Sequence, residues 1–261
     1  MGEIIGITNR KGGSGKTTTS VNLAAEFAHR GKRTLLIDLD SQSHCAVGLD
    51  VGVDKTTPTV HHLFTHDGAL LSEAIYPTLC PGLDLVPADP LFEHGMCRGD
   101  RFRLAGAIYG EKLDQSYDII LIDTPPSLDD LLMNALCACR WVLIPFLPHH
   151  LAAEGMRNLV RVLFKVKTGP NPDLKVLAFL PVMLDKRICQ HRSVTEGVSK
   201  QFGRWRLLSG IRNDIKLVEA FGYRRPVRLY MPSSRGAADF ALAAEEILTR
   251  LAQPEAAVTR H

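Results

Sequence analysis

The stretch from Glu3 to His29 constrains this chain more than any other part of it. A short apolar run, Glu3–Thr8, leads directly into Asn9-Arg10-Lys11-Gly12-Gly13-Ser14-Gly15-Lys16-Thr17-Thr18. A helix-forming stretch, Lys16–His29, follows without a break. Strand, glycine-rich loop and helix in that order form the layout of a phosphate-binding loop. The glycines allow the backbone to turn its N–H groups inward and to approach phosphate oxygens closely, and the helix N-terminus adds its dipole. In such a loop Lys16 reaches the β- and γ-phosphates of a nucleotide, and the Thr17 hydroxyl ligates Mg²⁺.

Two further apolar runs end in carboxylates. Leu35-Leu36-Ile37 closes on Asp38-Leu39-Asp40, and Ile119-Ile120-Leu121-Ile122 closes on Asp123. Open α/β sheets place ligands at the C-terminal edges of their strands. Asp123 there reads as the carboxylate that holds Mg²⁺ through water. Asp38 and Asp40 are two residues apart in an extended segment and point the same way. One can serve the metal and the other can orient or deprotonate an attacking water.

The spacing of the loop departs from the ordinary Gly-x-x-x-x-Gly-Lys-Ser/Thr pattern, because Arg10 stands where the first glycine belongs. The string Lys11-Gly12-Gly13-Ser14-Gly15-Lys16-Thr17-Thr18 resembles the deviant Walker A loop of the ParA/MinD superfamily. The likeness runs on through Thr19–Ala25, Gly31–Asp38, Tyr117–Leu128, Ala153-Glu154-Gly155 and Ile211–Arg235. It is closest to the small partition ATPases that lack an N-terminal helix-turn-helix domain. The resemblance implies an ATP hydrolase with ATP and Mg²⁺ as cofactors and a homodimer sandwiching two nucleotides. It assigns Lys11 to the partner's nucleotide, Lys11, Lys16 and Asp40 to catalysis, and Thr17, Asp38 and Asp123 to the metal. Gly12, Gly13, Ser14, Gly15, Lys16, Thr17 and Thr18 surround the phosphates, and Asp185 and Arg187, just past a strand end, are expected beside the adenine. Three departures stand out. Asp40-Ser41-Gln42-Ser43-His44 replaces Asp-Pro-Gln-Gly-Asn, Leu147 and His149 replace a Gln and a Glu, and Arg212 replaces a Pro.

Charge points to a partner. The net charge is +3, but Lys186 to Arg235 holds 12 Lys/Arg against 3 Asp/Glu, leaving 19 against 25 elsewhere. Such asymmetry suits a polyanion. With no recognition helix or zinc module in view, salt-sensitive, sequence-independent contact with duplex DNA is the expectation, with Arg192, Arg212, Lys216 and Arg224 the first candidates. The family resemblance adds a cargo-adaptor protein that stimulates hydrolysis.

The alternating apolar and helical segments predict an α/β fold of P-loop NTPase type, a doubly wound, mostly parallel sheet with helices on both faces. Expected strands are Glu3–Thr8, Thr34–Asp38, Leu83–Pro87, Asp118–Asp123, Trp141–Phe146 and Lys175–Val182. Expected helices are Lys16–His29, Ala69–Tyr76, Phe102–Gln115, Leu128–Ala138, Ala153–Lys167, His191–Phe202, Asp214–Ala220 and Gly236–Leu251. Residues 1–252 read as one ATPase domain and 253–261 as a disordered tail. No apolar run reaches a membrane span, and the first residues lack the layout of a signal peptide, so a cytoplasmic, nucleoid-associated protein without a membrane partner is expected. The six cysteines form no C-x-x-C pair, and Cys137 and Cys139 read as core thiols. A MinD-like membrane switch and a metabolic enzyme sharing the loop, the latter with Cys97 as a cluster ligand, are the alternatives.

Overall fold

In the computed structural model, residues 1–93, 100–150 and 152–253 are described; Cys97 and residues 254–261 lie outside them. Seven strands form one sheet in the order β3-β4-β2-β5-β1-β6-β7. They are β1 (Glu3–Ile7), β2 (Thr34–Asp38), β3 (Tyr76–Pro77), β4 (Leu83–Val86), β5 (Ile119–Asp123), β6 (Trp141–Phe146) and β7 (Lys175–Pro181). All neighbours pair in parallel except β3 with β4. Every residue of β2 and β5 is buried, as expected for parallel strands covered on both faces.

Alternate residues of these strands feed two cores. Ile4, Leu35, Ile37, Ile120 and Ile122 enter one, and Ile5, Ile7, Leu36, Ile119 and Leu121 the other. The period of two in side-chain direction is the cause. The first core is covered by α4 (Arg103–Gly110), α6 (Asp130–Ala138) and α7 (Ala152–Lys167) through Leu104, Leu132 and Leu159. The second is covered by α1 (Lys16–His29) and α11 (Arg235–Ala252) through Leu23, Phe27, Phe240 and Ile247. Side-chain caps fix several helix starts. Asp129 accepts from Leu132 N–H before α6, and Ser234 accepts from Ala237 N–H before α11. Asp214 starts α9 (Ile215–Gly222) by accepting from Lys216 N–H and also receives Gly236 N–H at 2.9 Å.

The six expected strands and the helices Lys16–His29 and Gly236–Leu251 appear within two residues of their predicted ends. Two expected helices need correction. Ala69–Tyr76 holds only a 3₁₀ turn, Leu71–Ala74, before the chain enters β3. Tyr76 precedes Pro77, which disfavours helical backbone, and Tyr76 instead pairs with Leu85 at the sheet edge. Phe102–Gln115 is divided into α4 and α5 (Leu113–Ser116), with Lys112 at φ +56° between them. Glu111 at that break accepts the Leu71 and Ser72 N–H groups, each at 2.8 Å. Three helices of four or five residues are absent from the expected set because they are too short to show a helical period: α2 (His44–Gly48), α3 (His62–Thr65) and α10 (Val227–Tyr230). The remaining one, α8, spans Cys189–Phe202.

Candidate active site

The loop between β1 and α1 lies at the C-terminal edge of the sheet, where the chain moves to opposite sides of β1. Asn9 anchors its entrance by donating to Pro145 O at 2.8 Å and accepting Lys11 N–H at 3.0 Å. Gly15 closes the loop at φ +79°, a left-handed conformation that places α1 on the sheet. A Cβ at Gly15 would stand 3.1 Å from Val182 Cγ2, whereas nothing lies within 4 Å of one at Gly12 or Gly13. Among the described residues no protein group accepts the N–H of Gly12, Gly13, Ser14 or Gly15. The hydroxyls of Thr8, Ser14 and Thr19 are buried without a partner. Each unmet buried group costs about 1–3 kcal/mol, so this concentration fits a cradle completed by a phosphate.

Strand register builds the acidic side of the site. Asp38 on β2 stands opposite Asp123 on β5, and Ile7 on β1 stands opposite the same Asp123. Adjacent strands are about 4.8 Å apart, so the two carboxylates flank the loop side by side, both 0% exposed. Asp123 accepts from Thr17 Oγ1 at 2.7 Å and Ser20 Oγ at 2.9 Å. Asp38 accepts the N–H groups of Asp40 and Cys45, both at 3.1 Å. Burial, and then the Asp123 charge, push Asp38 well above the usual carboxylate range. Burial raises Asp123 to about 6 against the pull of Thr17, Ser20 and Lys16. Two desolvated carboxylates beside a hydroxyl form an oxygen-donor set that suits a divalent cation. Lys16 is buried, which lowers its pKa against the charges of Asp123 and Asp40. Asp40 itself is half-buried and accepts Gln42 N–H at 3.1 Å.

A cavity of about 250 Å³ adjoins Gly15, Thr18 and Thr19. Its opposite walls are Met183, Arg212, Asn213, Asp214 and Leu217, with Phe240 beneath. Asp185 and Arg187 are not among its walls; they pair with each other at 2.7 Å on the surface. The sequence signal that marks the walls is the Ile211–Asp214 segment, which runs beside the end of β7 through the hydrogen bond from Leu184 N–H to Ile211 O. A larger cavity, about 480 Å³, lies at the opposite, N-terminal edge of the sheet between Trp141 and Trp205, away from the loop and the carboxylates.

Residues 2–176 match the family model described as "AAA domain". The chain is 36% identical to the chromosome partitioning protein ParA of Myxococcus xanthus, over 96% of this chain and 89% of that one. It is also 36% identical to the chromosome-partitioning ATPase Soj of Thermus thermophilus, over 95% and 96%. The chain belongs to the ParA/Soj family of ATPases. Among solved structures, a cobyrinic acid a,c-diamide synthase from Mycobacterium smegmatis with a bound ATP analogue and magnesium superposes with a TM-score of 0.80 at 29% identity, covering 96% of each chain.

The structure shows what the departures from the ParA pattern do locally. Ser43, where the family has glycine, keeps the left-handed backbone at φ +51°, and its hydroxyl donates to Ala88 O at 3.0 Å. Ser43 therefore holds a backbone that glycine adopts freely, at a cost of about 1–2 kcal/mol. His149, where the family has Glu, receives the Lys11 ammonium at Nε2. Burial and the neighbouring Lys11 charge lower the His149 pKa, favouring the neutral ring that accepts this bond. Arg212, where the family has Pro, forms a bidentate pair with Asp239 at 2.8–3.1 Å. Of the other basic candidates, Lys216 pairs with Glu219 at 2.7 Å and Arg224 with Asp50 at 3.3 Å. Arg192 meets Lys186 O and Cys189 Sγ.

Proposed function

We propose that this ParA/Soj-family ATPase is a nucleotide-gated dimer that binds DNA without sequence preference and positions cargo as it hydrolyses ATP. The observation that carries this reading is the contrast between its two loop lysines. Lys16 is 6% exposed and turned toward its own loop and carboxylates. Lys11, five residues earlier, is exposed, and its ammonium meets the rim residue His149. A cation held outside its own phosphate cradle is available to a nucleotide on a second copy of the chain.

ATP and Mg²⁺ are the nucleotide and metal of this ATPase. Mg²⁺ supplies charge neutralisation of the β- and γ-phosphates. Thr17, Asp38 and Asp123 hold it, and the N–H groups of Gly12–Gly15 with Lys16 hold the phosphates. Thr18, Thr19, Met183 and Asn213 border the space for the base. Asp40 sits at the open side of the carboxylate pair and orients the attacking water. Hydrolysis removes the γ-phosphate that joins the two protomers, so the dimer and its continuous basic face come apart. The basic segment around α8, with Arg192 foremost, supplies salt-sensitive phosphate contacts. A cargo-adaptor protein sets the hydrolysis rate, and the protein works in the cytoplasm on the nucleoid. Among the described residues no helix is long and apolar enough to cross a membrane.

The test is binding to duplex DNA of unrelated sequences with ATP, ADP or no nucleotide over a salt series, alongside Lys11→Ala. ATP-dependent binding that weakens steeply with salt and disappears in the variant supports the reading. Equal binding, or none, in all three nucleotide states overturns it.

A further inference from the structure

The carboxylate pair at the end of β2 and β5 has a third neighbour that hard-metal chemistry does not use. Cys45, at the start of α2, is 0% exposed, and its thiol donates to Asp123 Oδ2 at 3.5 Å. Its backbone N–H also donates to Asp38 at 3.1 Å. One donor atom each from Asp38, Cys45 and Asp123 lies within 4.8 Å of the other two. Three separate elements deliver them, and all three residues are fully buried. Among the described residues neither carboxylate forms an ion pair with a cationic side chain. The two buried carboxylates accept hydrogen bonds from Thr17, Ser20 and the Asp40 and Cys45 N–H groups, with Lys16 the nearby cationic charge. A bound cation completes their neutralisation, and the sulfur decides which kind.

Mg²⁺ is hard and takes oxygen donors and water, so sulfur adds nothing to its site. Thiolate sulfur selects softer ions, with Zn²⁺ and Co²⁺ prominent among the divalent metals. Tetrahedral bonds of about 2.0–2.3 Å place neighbouring donors roughly 3.3–3.8 Å apart. The 3.5 Å between Cys45 Sγ and Asp123 Oδ2 already falls there. Asp38 offers a carboxylate oxygen within 4.8 Å of both other donors as the third corner. The Thr17 side, with its hydroxyl 2.7 Å from Asp123, leaves the fourth position to water or a phosphate oxygen.

We propose that Asp38, Cys45 and Asp123 form a site for a thiophilic divalent cation, Zn²⁺ or Co²⁺, that overlaps the Mg²⁺ position so that the two ions exclude each other. The proposal rests on reading Asp38 and Asp123 as cation-binding residues. Binding forms one sulfur–metal bond; the thiol proton leaves to solvent and no electron is transferred. A zinc-loaded protomer has both carboxylates committed and does not take Mg²⁺-ATP.

Cobalt reports the site directly. Titration of the full-length, reduced, nucleotide-free protein with Co²⁺ is expected to give a sulfur-to-cobalt charge-transfer band in the near ultraviolet that saturates at one ion per chain. Zn²⁺ displaces it, and excess Mg²⁺-ATP bleaches it. Cys45→Ser and Cys45→Ala, each checked for folding by thermal unfolding, lose the band, while Cys189→Ser, which removes an exposed thiol, keeps it. X-ray absorption of the zinc-loaded wild type needs no variant and is expected to show one sulfur among oxygen ligands. A band that persists without Cys45, or zinc without a directly bound sulfur, overturns the proposal. A wild type that binds Mg²⁺-ATP but gives no cobalt–sulfur band overturns it too and leaves the nucleotide site standing. A cobalt–sulfur band that excess Mg²⁺-ATP leaves unchanged in a protein that binds Mg²⁺-ATP overturns the overlap of the two ions. A band in a protein that does not bind Mg²⁺-ATP overturns the nucleotide-site reading on which the proposal rests.

Discussion

Glu26 and Arg228, 202 residues apart in sequence, form a two-pronged ion pair with distances of 2.6 and 2.9 Å. Glu26 is 1% exposed and is also held by Arg30 at 2.6 Å. One turn earlier on the same helix, Asn22 accepts Val227 N–H at 2.8 Å. These contacts tie the phosphate-loop helix α1 to α10 and take Arg228 out of the basic surface. Glu26→Gln leaves both arginines without a carboxylate, although each retains some access to water. The expected cost is about 2 kcal/mol, and thermal unfolding is expected to fall by roughly 4–8 °C for a chain of this size. An unchanged melting temperature would show that the cluster contributes nothing net.

The two ends of the glycine loop are expected to respond differently to an added methyl group. Gly15→Ala forces a left-handed alanine against Val182 and is expected to destabilise the apo protein by about 1–2 kcal/mol before packing strain is added. Gly12→Ala meets nothing within 4 Å in the protein. It is expected to unfold like the wild type yet lose at least about tenfold in ATP affinity, about 1.4 kcal/mol, because its methyl group occupies the phosphate cradle. Calorimetric titration with ATP beside a thermal scan separates the two cases; a Gly12 variant with wild-type affinity would move the phosphates elsewhere.

Asp123→Asn removes one of two adjacent buried negative charges while keeping an acceptor oxygen for one of the two hydroxyls, Thr17 or Ser20, that donate to it. The apo variant is expected to be more stable than the wild type by about 1–2 kcal/mol. It is also expected to gain no further stability from Mg²⁺-ATP, whereas the wild type gains with ligand concentration by mass action. Denaturant titration with and without Mg²⁺-ATP reads both signs in one experiment. A less stable apo variant would mean that the carboxylate is compensated within the folded chain.

Of the four basic residues singled out for DNA, Arg212, Lys216 and Arg224 each face an acidic partner, whereas Arg192, among the described residues, meets a carbonyl and a sulfur. Arg192→Ala is therefore expected to weaken ATP-dependent DNA binding uniformly across sequences and to reduce the slope of log affinity against log salt by about 1. Arg212→Ala is expected to act on stability and on the cavity it lines beside the glycine loop, through loss of Asp239. Equal salt slopes for wild type and Arg192→Ala would remove that residue from the interface.

The primary sequence carried the nucleotide chemistry because it is local. A strand, four loop residues and the first turn of one helix hold Gly12 to Thr18, and each acidic residue ends its own apolar run. Parallel strands buried on both faces are legible for the same reason, since their apolar runs are unbroken. Other features depended on which segments meet. That Asp38 and Asp123 share a register is set by the insertion of β5 between β2 and β1, a choice made by sheet order and not by either run of residues. The walls of the cavity beside the glycine loop come from Thr18, Met183 and Asn213, which no spacing rule connects. The pairing of Arg212 with Asp239 and of Arg228 with Glu26 turned residues counted as surface charge into internal contacts. No spacing in the sequence singles out Cys45, and only the folding of α2 against the ends of β2 and β5 places its sulfur beside two carboxylates. Local backbone chemistry was determined by sequence alone; contacts between distant segments were decided by packing, because charge, burial and reach depend on neighbours that only the tertiary structure supplies.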